Sequence, residues 1–116
     1  MALPNMLNAS TVYGNSSGIV LTTSSANVIS NTTGQSIKVN NLLVCNITAS
    51  AVTVTINYYN NATTTAYNIL YQTTVPANGT IDVLNRPFYL MESDRIQALA
   101  GAGTSIHCVA SWEQVT

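Results

Sequence analysis

The chain has 116 residues, of which only 6% are charged, and its formal net charge is −1. Soluble domains usually contain about 25% charged residues, but hydrophobic residues make up 47% of this chain, which excludes a solvated disordered tail. Three Lys and Arg residues are too few for a nucleic-acid interface or a polybasic membrane patch, and one His with four Asp and Glu residues leaves little from which to build an active site.

The chain begins with a segment that lacks clear periodicity. Residues 1–10 contain Pro4 and have neither a basic start nor a long apolar centre, so they predict no secretory signal. We predict an extended N-terminal arm over residues 1–12 and a single β-sandwich domain over residues 13–116. The apolar residues of the arm that we expect to contact another chain are Leu3, Met6 and Leu7.

The rest of the chain alternates between short apolar segments and turns rich in Asn, Gly, Pro and Ser. Residues 14–18, with the sequence Gly-Asn-Ser-Ser-Gly, predict a loop. The segment 52–59 shows the clearest alternation of apolar and polar residues, which is typical of a half-buried strand. Strands are predicted over 19–23, 26–30, 36–48, 52–59, 66–75, 80–84, 88–91, 95–100 and 105–115.

This spacing of short strands, without any window of helical periodicity, predicts an all-β protein. We expect an antiparallel β-sandwich or jelly roll of about eight strands. The segment 36–48 has apolar residues on both faces, as in an interior strand, although Asn41 interrupts its alternation. The residues predicted to form the core are Val39, Leu43, Cys45, Ile47, Val54, Ile56, Ile69, Tyr71, Leu90, Ile96, Ile106, Cys108 and Trp112.

The two cysteines and the single histidine are the first candidates for chemistry. Cys45 and Cys108 occupy apolar positions, where each is either a reduced core residue or, if their strands face each other, part of a disulfide. His107 is next to Cys108 in sequence but lies on the other face of the strand, so these two side chains do not form a nucleophilic pair. We therefore expect His107 at the surface or in an interface.

The carboxylates are the second candidates. Glu92 and Asp94 lie in a turn beside Arg95, where capping of backbone amides and local pairing with Arg95 are favoured over a catalytic pair. No Gly-x-Ser-x-Gly nucleophile elbow is predicted, although residues 14–18 match its letters, because such an elbow joins a strand to a helix and the chain shows no helical periodicity. The sequence also contains no closely spaced zinc or calcium ligands. We therefore predict that the protein is not an enzyme and uses no metal or other cofactor.

The missing charge is the most informative feature of the sequence. Residues 39–81 contain no charged side chain, although they should form three strands. Monomeric sheet proteins usually protect their edges with charge or Pro, and a net charge near zero favours association. We therefore expect a homo-oligomer, without nucleic acid or membrane as a partner. Outward residues suited to its interfaces are Tyr13, Tyr59, Tyr89 and His107.

The C-terminal half has a fixed order of elements: a turn at Pro76-Ala77, a short strand, an apolar strand, an acidic turn, a strand, a small-residue turn and a last strand. The segments concerned are 75–80, 86–90, 92–98, 103–109 and 111–113. This pattern resembles small β-sandwich structural proteins of tailed bacteriophage virions. The resemblance implies a virion component, made in the host cytoplasm, that decorates and stabilises the phage head as a cement protein. It further implies a homotrimer whose arm contacts the major capsid protein or other virion proteins.

Two other functions stay open, and a third, that of a small enzyme, is disfavoured. A protein associated with the neck or tail fibres would share the same pattern of strands. A glycan-binding adhesin module would use outward Tyr59 and Tyr89, with neighbouring Asn side chains, as a shallow sugar platform. A small enzyme would need His107 inside a pocket, within hydrogen-bond reach of a carboxylate or hydroxyl group.

Overall fold

A computed structural model of the chain describes residues 11–32, 34–84 and 86–116. The arm residues Leu3, Met6 and Leu7 lie outside the described residues. The strands are β1 (Val12–Val20), β2 (Ala26–Ser30), β3 (Ser36–Asn46), β4 (Val52–Asn60), β5 (Thr65–Val75), β6 (Thr80–Asp82), β7 (Phe88–Leu90), β8 (Arg95–Ala100) and β9 (Ile106–Val115). No helix in the described part of the chain is long and apolar enough to span a membrane.

The strands form two antiparallel sheets. Sheet A has the order β1-β9-β3-β6, and β7 also pairs with β3, while sheet B has the order β2-β8-β4-β5. β6 and β7 pair with two successive stretches of β3, so together they act as one interrupted strand. Each sheet then has four strands in the order of a jelly roll, which confirms the predicted fold class and the expected number of about eight strands.

The core lies between the two sheets and is formed by Val, Ile, Leu and Ala side chains from both of them. The predicted core residues that are buried are Val39, Val54, Ile56, Leu90, Ile96, Ile106 and Cys108. Ile69 and Trp112 are partly buried at its margin and pack against it. The apolar faces of the two sheets therefore cover each other, as in other β-sandwiches.

The core prediction is wrong for the second half of β3. The pairing of β3 with β9 shifts register between Val39 and Asn41, which is a β-bulge. Because one extra residue reverses the alternation of faces, Leu42 and Val44 are fully buried. The residues predicted there, Leu43, Cys45 and Ile47, lie on the outer face instead: the first two are half-buried, and Ile47 is 49% exposed.

The core prediction is also wrong for Tyr71, which is 64% exposed. The pairing of β5 with β4 shifts register twice, between Val54 and Ile56 and between Ile56 and Asn57 of β4. Gln72, next to Tyr71, has a φ of 47°, in the left-handed region. These irregularities break the two-residue period of β5, so parity along the sequence does not predict which of its side chains face inward.

The predicted loop over residues 14–18 is the middle of β1. These residues pair with β9 without interruption, from Gly14 opposite Glu113 to Gly18 opposite Val109. Gly, Asn and Ser have low strand propensity, but pairing with a long neighbouring strand overrides such weak local preferences. The outermost strand of sheet A is consequently regular over nine residues.

Candidate assembly surfaces

β1 forms an edge of sheet A that sheet B does not fully cover. Tyr13, Ser17 and Ile19 of β1 project to the same face as the buried residues of β9, because Ser17 pairs with Ala110 and Ile19 with Cys108. Tyr13 is nevertheless 57% exposed, Ser17 is exposed, and Ile19 is only half-buried. The interior face of sheet A thus extends beyond the core into solvent.

The outer side of the β1 backbone is not paired with any other strand among residues 11–32, 34–84 and 86–116. Thr11 and Thr116 exchange both backbone hydrogen bonds, and the N–H of Leu21 donates to the carbonyl of Ile106 at 2.9 Å. Since hydrogen-bonded and non-hydrogen-bonded pairs alternate along an antiparallel ladder, every even-numbered residue of β1 directs its N–H and C=O away from β9. These residues are Val12, Gly14, Ser16, Gly18 and Val20.

A second exposed surface, the outer patch, lies on the outer face of sheet A and consists of Val20, Leu43, Cys45, His107 and Val109. Val20 and Val109 are about half exposed, and Leu43 and Cys45 are half-buried. His107 is exposed and lies directly opposite Cys45 in the β3–β9 register. The register thus gives His107 a cysteine neighbour that sequence adjacency to Cys108 did not suggest.

Cys45 and Cys108 are both free thiols. They project from opposite faces of sheet A, since Cys45 is on the outer patch and Cys108 is buried in the core, so no disulfide joins them. Burial raises the pKa of the Cys108 thiol to about 11. Among the described residues, no group of three or more His, Cys, Asp or Glu side chains is placed to hold a metal ion.

The structure does not bring the predicted interface residues Tyr59 and Tyr89 together. Tyr59 lies on the outer face of sheet B, where the Arg95 guanidinium carbon is 4.1 Å from the centre of its ring. Tyr89 lies on the outer face of sheet A, opposite Lys38, and is 48% exposed. A single sugar platform made of both rings is therefore wrong, because the two rings lie on opposite sides of the sandwich.

Asp94 connects three segments in a way that the sequence did not reveal. Its buried carboxylate accepts hydrogen bonds from the Tyr58 hydroxyl at 2.6 Å and from the backbone N–H groups of Asn61 and Met91 at 3.0 Å each. The expected capping of backbone amides is confirmed, while the Arg95 guanidinium lies over Tyr59 instead. Partial burial and the Asp94 hydrogen bond raise the pKa of Tyr58 to about 12.

Two buried asparagines tie further loops to the sandwich. The Asn31 side-chain amide donates to the carbonyls of Gln35, Leu90 and Met91, at 2.8 to 3.1 Å. Asn46 donates to Val75 and to Ser50, and accepts from Thr48. The sequence contains many Asn residues that lie in ordinary turns, so the sequence alone does not distinguish Asn31 and Asn46 from them. Each amide bonds several carbonyls, so both residues act as structural connectors.

The described part of the chain has cavities on its surface, of which we consider two. One, of about 290 Å³, lies between β5 and β7, and Tyr58, Tyr67, Ile69, Leu84 and Phe88 give it a mainly apolar lining. The other, of about 160 Å³, is lined by Gly18, Ile19, Val20, His107, Cys108 and Val109. None of the residues lining the cavity beside His107 supplies a carboxylate or a hydroxyl group. This cavity therefore lacks the hydrogen-bond partner that a small enzyme centred on His107 would need.

No protein-family model matches the chain, and no curated protein matches it. A solved structure of Bacillus endospore appendages, which are described as disulfide-linked pili, is similar with a TM-score of 0.55 and 17% identity, covering 91% of this chain and 88% of that one. A structure of infectious bursal disease virus, Gx strain, gives a TM-score of 0.43 and 17% identity over 31% of the viral chain. At this identity the first likeness shows a shared all-β fold, and the second is too weak to add to it.

Proposed function

We propose that the chain is a structural subunit that functions by packing against copies of itself and against other subunits of a larger protein particle. The observation that supports this proposal best is β1, whose interior face is exposed and whose outer backbone groups have no partner within the described part of the chain. An isolated protein with such an edge is prone to uncontrolled strand addition, whereas a subunit covers it on assembly.

The surface as a whole supports the same proposal. The chain has seven formally charged Lys, Arg, Asp and Glu residues, and residues 39–81 have none of them. Large apolar or aromatic side chains are exposed at Val12, Tyr13, Val20, Ile47, Tyr67, Tyr71, Tyr89, Met91 and Val109. Interfaces between subunits favour aromatic and apolar residues and contain few charged ones, so these surfaces suit protein contacts better than contact with nucleic acid or a membrane.

The specific form we propose is a capsid decoration protein of a tailed phage, located in the virion and made in the host cytoplasm. In this proposal the subunits form a homotrimer, and the part of the N-terminal arm that precedes β1 contacts the major capsid protein or another virion protein. An uncharged arm can add a strand to a neighbouring sheet, and backbone hydrogen bonds then offset the entropy lost on ordering. A subunit associated with the neck or tail would use the same exposed edge and is the second candidate.

We also propose that the protein has no catalytic role. His107 is exposed on a sheet face, its cross-strand neighbour is Cys45, and its cavity brings no acidic partner. A general base needs a reacting group held within hydrogen-bond distance in a protected site, which this arrangement does not provide.

The proposal is tested by the mass of the purified chain in solution. Light scattering over a wide concentration range should give a mass well above the 12.3 kDa of one chain. In a virion preparation containing the chain, a gold-labelled antibody against it should mark the head surface. Label at the neck or tail would favour the second candidate. A monomer at every concentration, with no label on any particle, would contradict a structural role.

A further inference from the structure

β1 differs from every other sheet edge in the described part of the chain. β2 has five residues and shifts register between Asn27 and Ile29. β5 shifts register twice, and β6 and β7 have three residues each, with Asp82 in β6 and Pro87 just before β7. Short, irregular, charged or Pro-flanked edges resist the addition of another strand.

β1 has none of these protective features. It has nine residues, contains no charged residue and no Pro, and pairs with β9 without a register shift. Its five outward-directed residues present an uninterrupted row of N–H and C=O groups that no other described residue pairs with. This edge therefore has the geometry of a strand that receives another strand.

We propose that β1 pairs antiparallel with β1 of a second copy of this chain, across a two-fold axis at Ser16, so that sheet A continues from one copy into the next. The inference rests on the proposed function in that it assumes self-association. It adds which strand forms the contact, which partner it takes and which register it adopts.

The register follows from the outward backbone groups. With the axis at Ser16, each residue of β1 faces the residue that is equally far on the other side of Ser16 in the partner. Val12 then faces Val20, Gly14 faces Gly18 and Ser16 faces Ser16, and all of these have outward N–H and C=O groups. All five outward residues of each copy can therefore exchange backbone hydrogen bonds, whereas a shift of one residue would set outward groups against inward ones.

The side chains match in the same register. Tyr13 faces Ile19, and pairs of an aromatic with a β-branched residue are among those that stabilise neighbouring strands. These two residues occupy non-hydrogen-bonded positions of the new ladder, where side chains approach each other most closely. Val12 faces Val20 on the other side of the sheet, so apolar residues meet at both ends of the strand pair, and small residues meet at its centre.

This symmetry is the reason for choosing a second copy as the partner. The sequence of β1, Val-Tyr-Gly-Asn-Ser-Ser-Gly-Ile-Val, has the same order of residue classes when read from either end. A two-fold interface requires one surface to be complementary to itself, and a strand with this property meets that requirement. A two-fold contact through β1 is compatible with a three-fold contact elsewhere, in which case it joins two trimers.

The experiment changes Ser16, the residue on the proposed two-fold axis. In full-length Ser16→Lys or Ser16→Glu, two like charges face each other, and dimerisation should weaken by roughly tenfold or more, because tenfold corresponds to only about 1.4 kcal/mol. An equal mixture of the two variants should recover association, as Lys then faces Glu. Ser16→Thr, which is uncharged and favours strands, is the matched control and should associate like the original protein. Native mass spectrometry of each sample measures these species.

Each result bears on the proposal. Loss of the two-fold species in both charged variants and its recovery in the mixture would support it, provided that circular dichroism shows all variants folded. Unchanged association in both charged variants would overturn the β1 contact and leave the structural role intact. A variant lacking residues 1–10 should still dimerise; loss of the dimer in this variant would mean that residues 1–10 form the contact, and would overturn the proposal. A monomeric original protein would contradict both proposals.

Discussion

β3 and β1 flank the same strand, β9, yet they differ in almost every other property. Both pair antiparallel with β9 along most of their length. β3 contributes the fully buried Val39, Leu42 and Val44, while most of β1 is exposed. The difference arises because the described residues of sheet B pack over the middle of sheet A and do not cover its β1 edge. Both strands thus pair with β9 through their backbones. The buried side chains of β3 stabilise the fold, whereas the exposed side chains of β1 are available for association.

Truncation of Leu42 should give the largest effect. Leu42→Ala removes a fully buried side chain from the middle of β3, so the free energy of unfolding should fall by about 3 kcal/mol. Urea denaturation of the variant measures the loss. Val20→Ala, in exposed β1, is the control; with both substitutions made in the dissociated Ser16→Lys background, it should cost about 0.5 kcal/mol or less. Equal losses in the two variants would show that the contrast between β3 and β1 is wrong.

Removal of the Asp94 carboxylate should come next. Asp94→Ala leaves the Tyr58 hydroxyl and the N–H groups of Met91 and Asn61 without their acceptor. We expect a loss of about 2 kcal/mol, since the group is buried and accepts from three donors. Asp82→Ala is the matched control, because that carboxylate is exposed at the end of β6. A loss no greater than that of the control would mean that Asp94 does not hold the three segments together.

The Tyr58 hydroxyl predicts a pH dependence. Its pKa is raised from 10.0 to about 12, so the folded state retains the proton more strongly than the unfolded state. The resulting stabilisation is complete below pH 10 and is lost as the pH rises towards 12. Tyr58→Phe should lower the free energy of unfolding by about 1 kcal/mol at neutral pH. It should also make that free energy depend less on pH between about 10 and 12. Tyr71→Phe, at an exposed site, should leave both unchanged. A decline of equal slope in Tyr58→Phe would contradict the assignment.

The two thiols should differ clearly in the rate at which a thiol reagent modifies them, and this test should involve the smallest change in the free energy of unfolding. Cys45 lies on the outer patch, whereas Cys108 is buried and its pKa is raised to about 11. A thiol reagent at mildly alkaline pH should therefore modify Cys45 in the folded protein and Cys108 only after unfolding. Peptide mass mapping distinguishes the two sites, and a Cys45→Ser variant is the control. Equal rates at both cysteines would contradict the inward position of Cys108.

The fold class was predictable because the chain has a strong two-residue period and regular turn signals. The segment 52–59 correctly placed Val54 and Ile56 in the core, since β4 keeps its period there. The sequence shows the bulge near Asn41 only as an interruption in the alternation of apolar and polar residues. The face on which Leu43 and Cys45 then lie depends on how β3 pairs with β9. For residues 14–18 local propensity is the only signal in the sequence, and it predicts a loop. Pairing with β9 overrides this preference.

The candidate surfaces were harder to predict than the fold. The scarcity of charge drew attention to association, but it does not say which surface associates. An edge is defined by the order of strands in a sheet, which residues far apart in the sequence determine. Tyr59 and Tyr89 were each plausible as outward residues, and only the sheet assignment shows that they lie on opposite sides. Asp94 likewise gains its role from Tyr58 and Asn61, which are far away in sequence.

Hydrogen exchange at the backbone amides of β1 tests the central claim most directly. In the assembled protein we predict slow exchange at Val12, Gly14, Ser16, Gly18 and Val20, whose N–H groups point away from β9. The same amides should exchange quickly in the dissociated Ser16→Lys variant, while the amides that bond β9 stay protected in both. Fast exchange at these five residues in the assembled state would contradict the claim that a neighbouring subunit covers this edge.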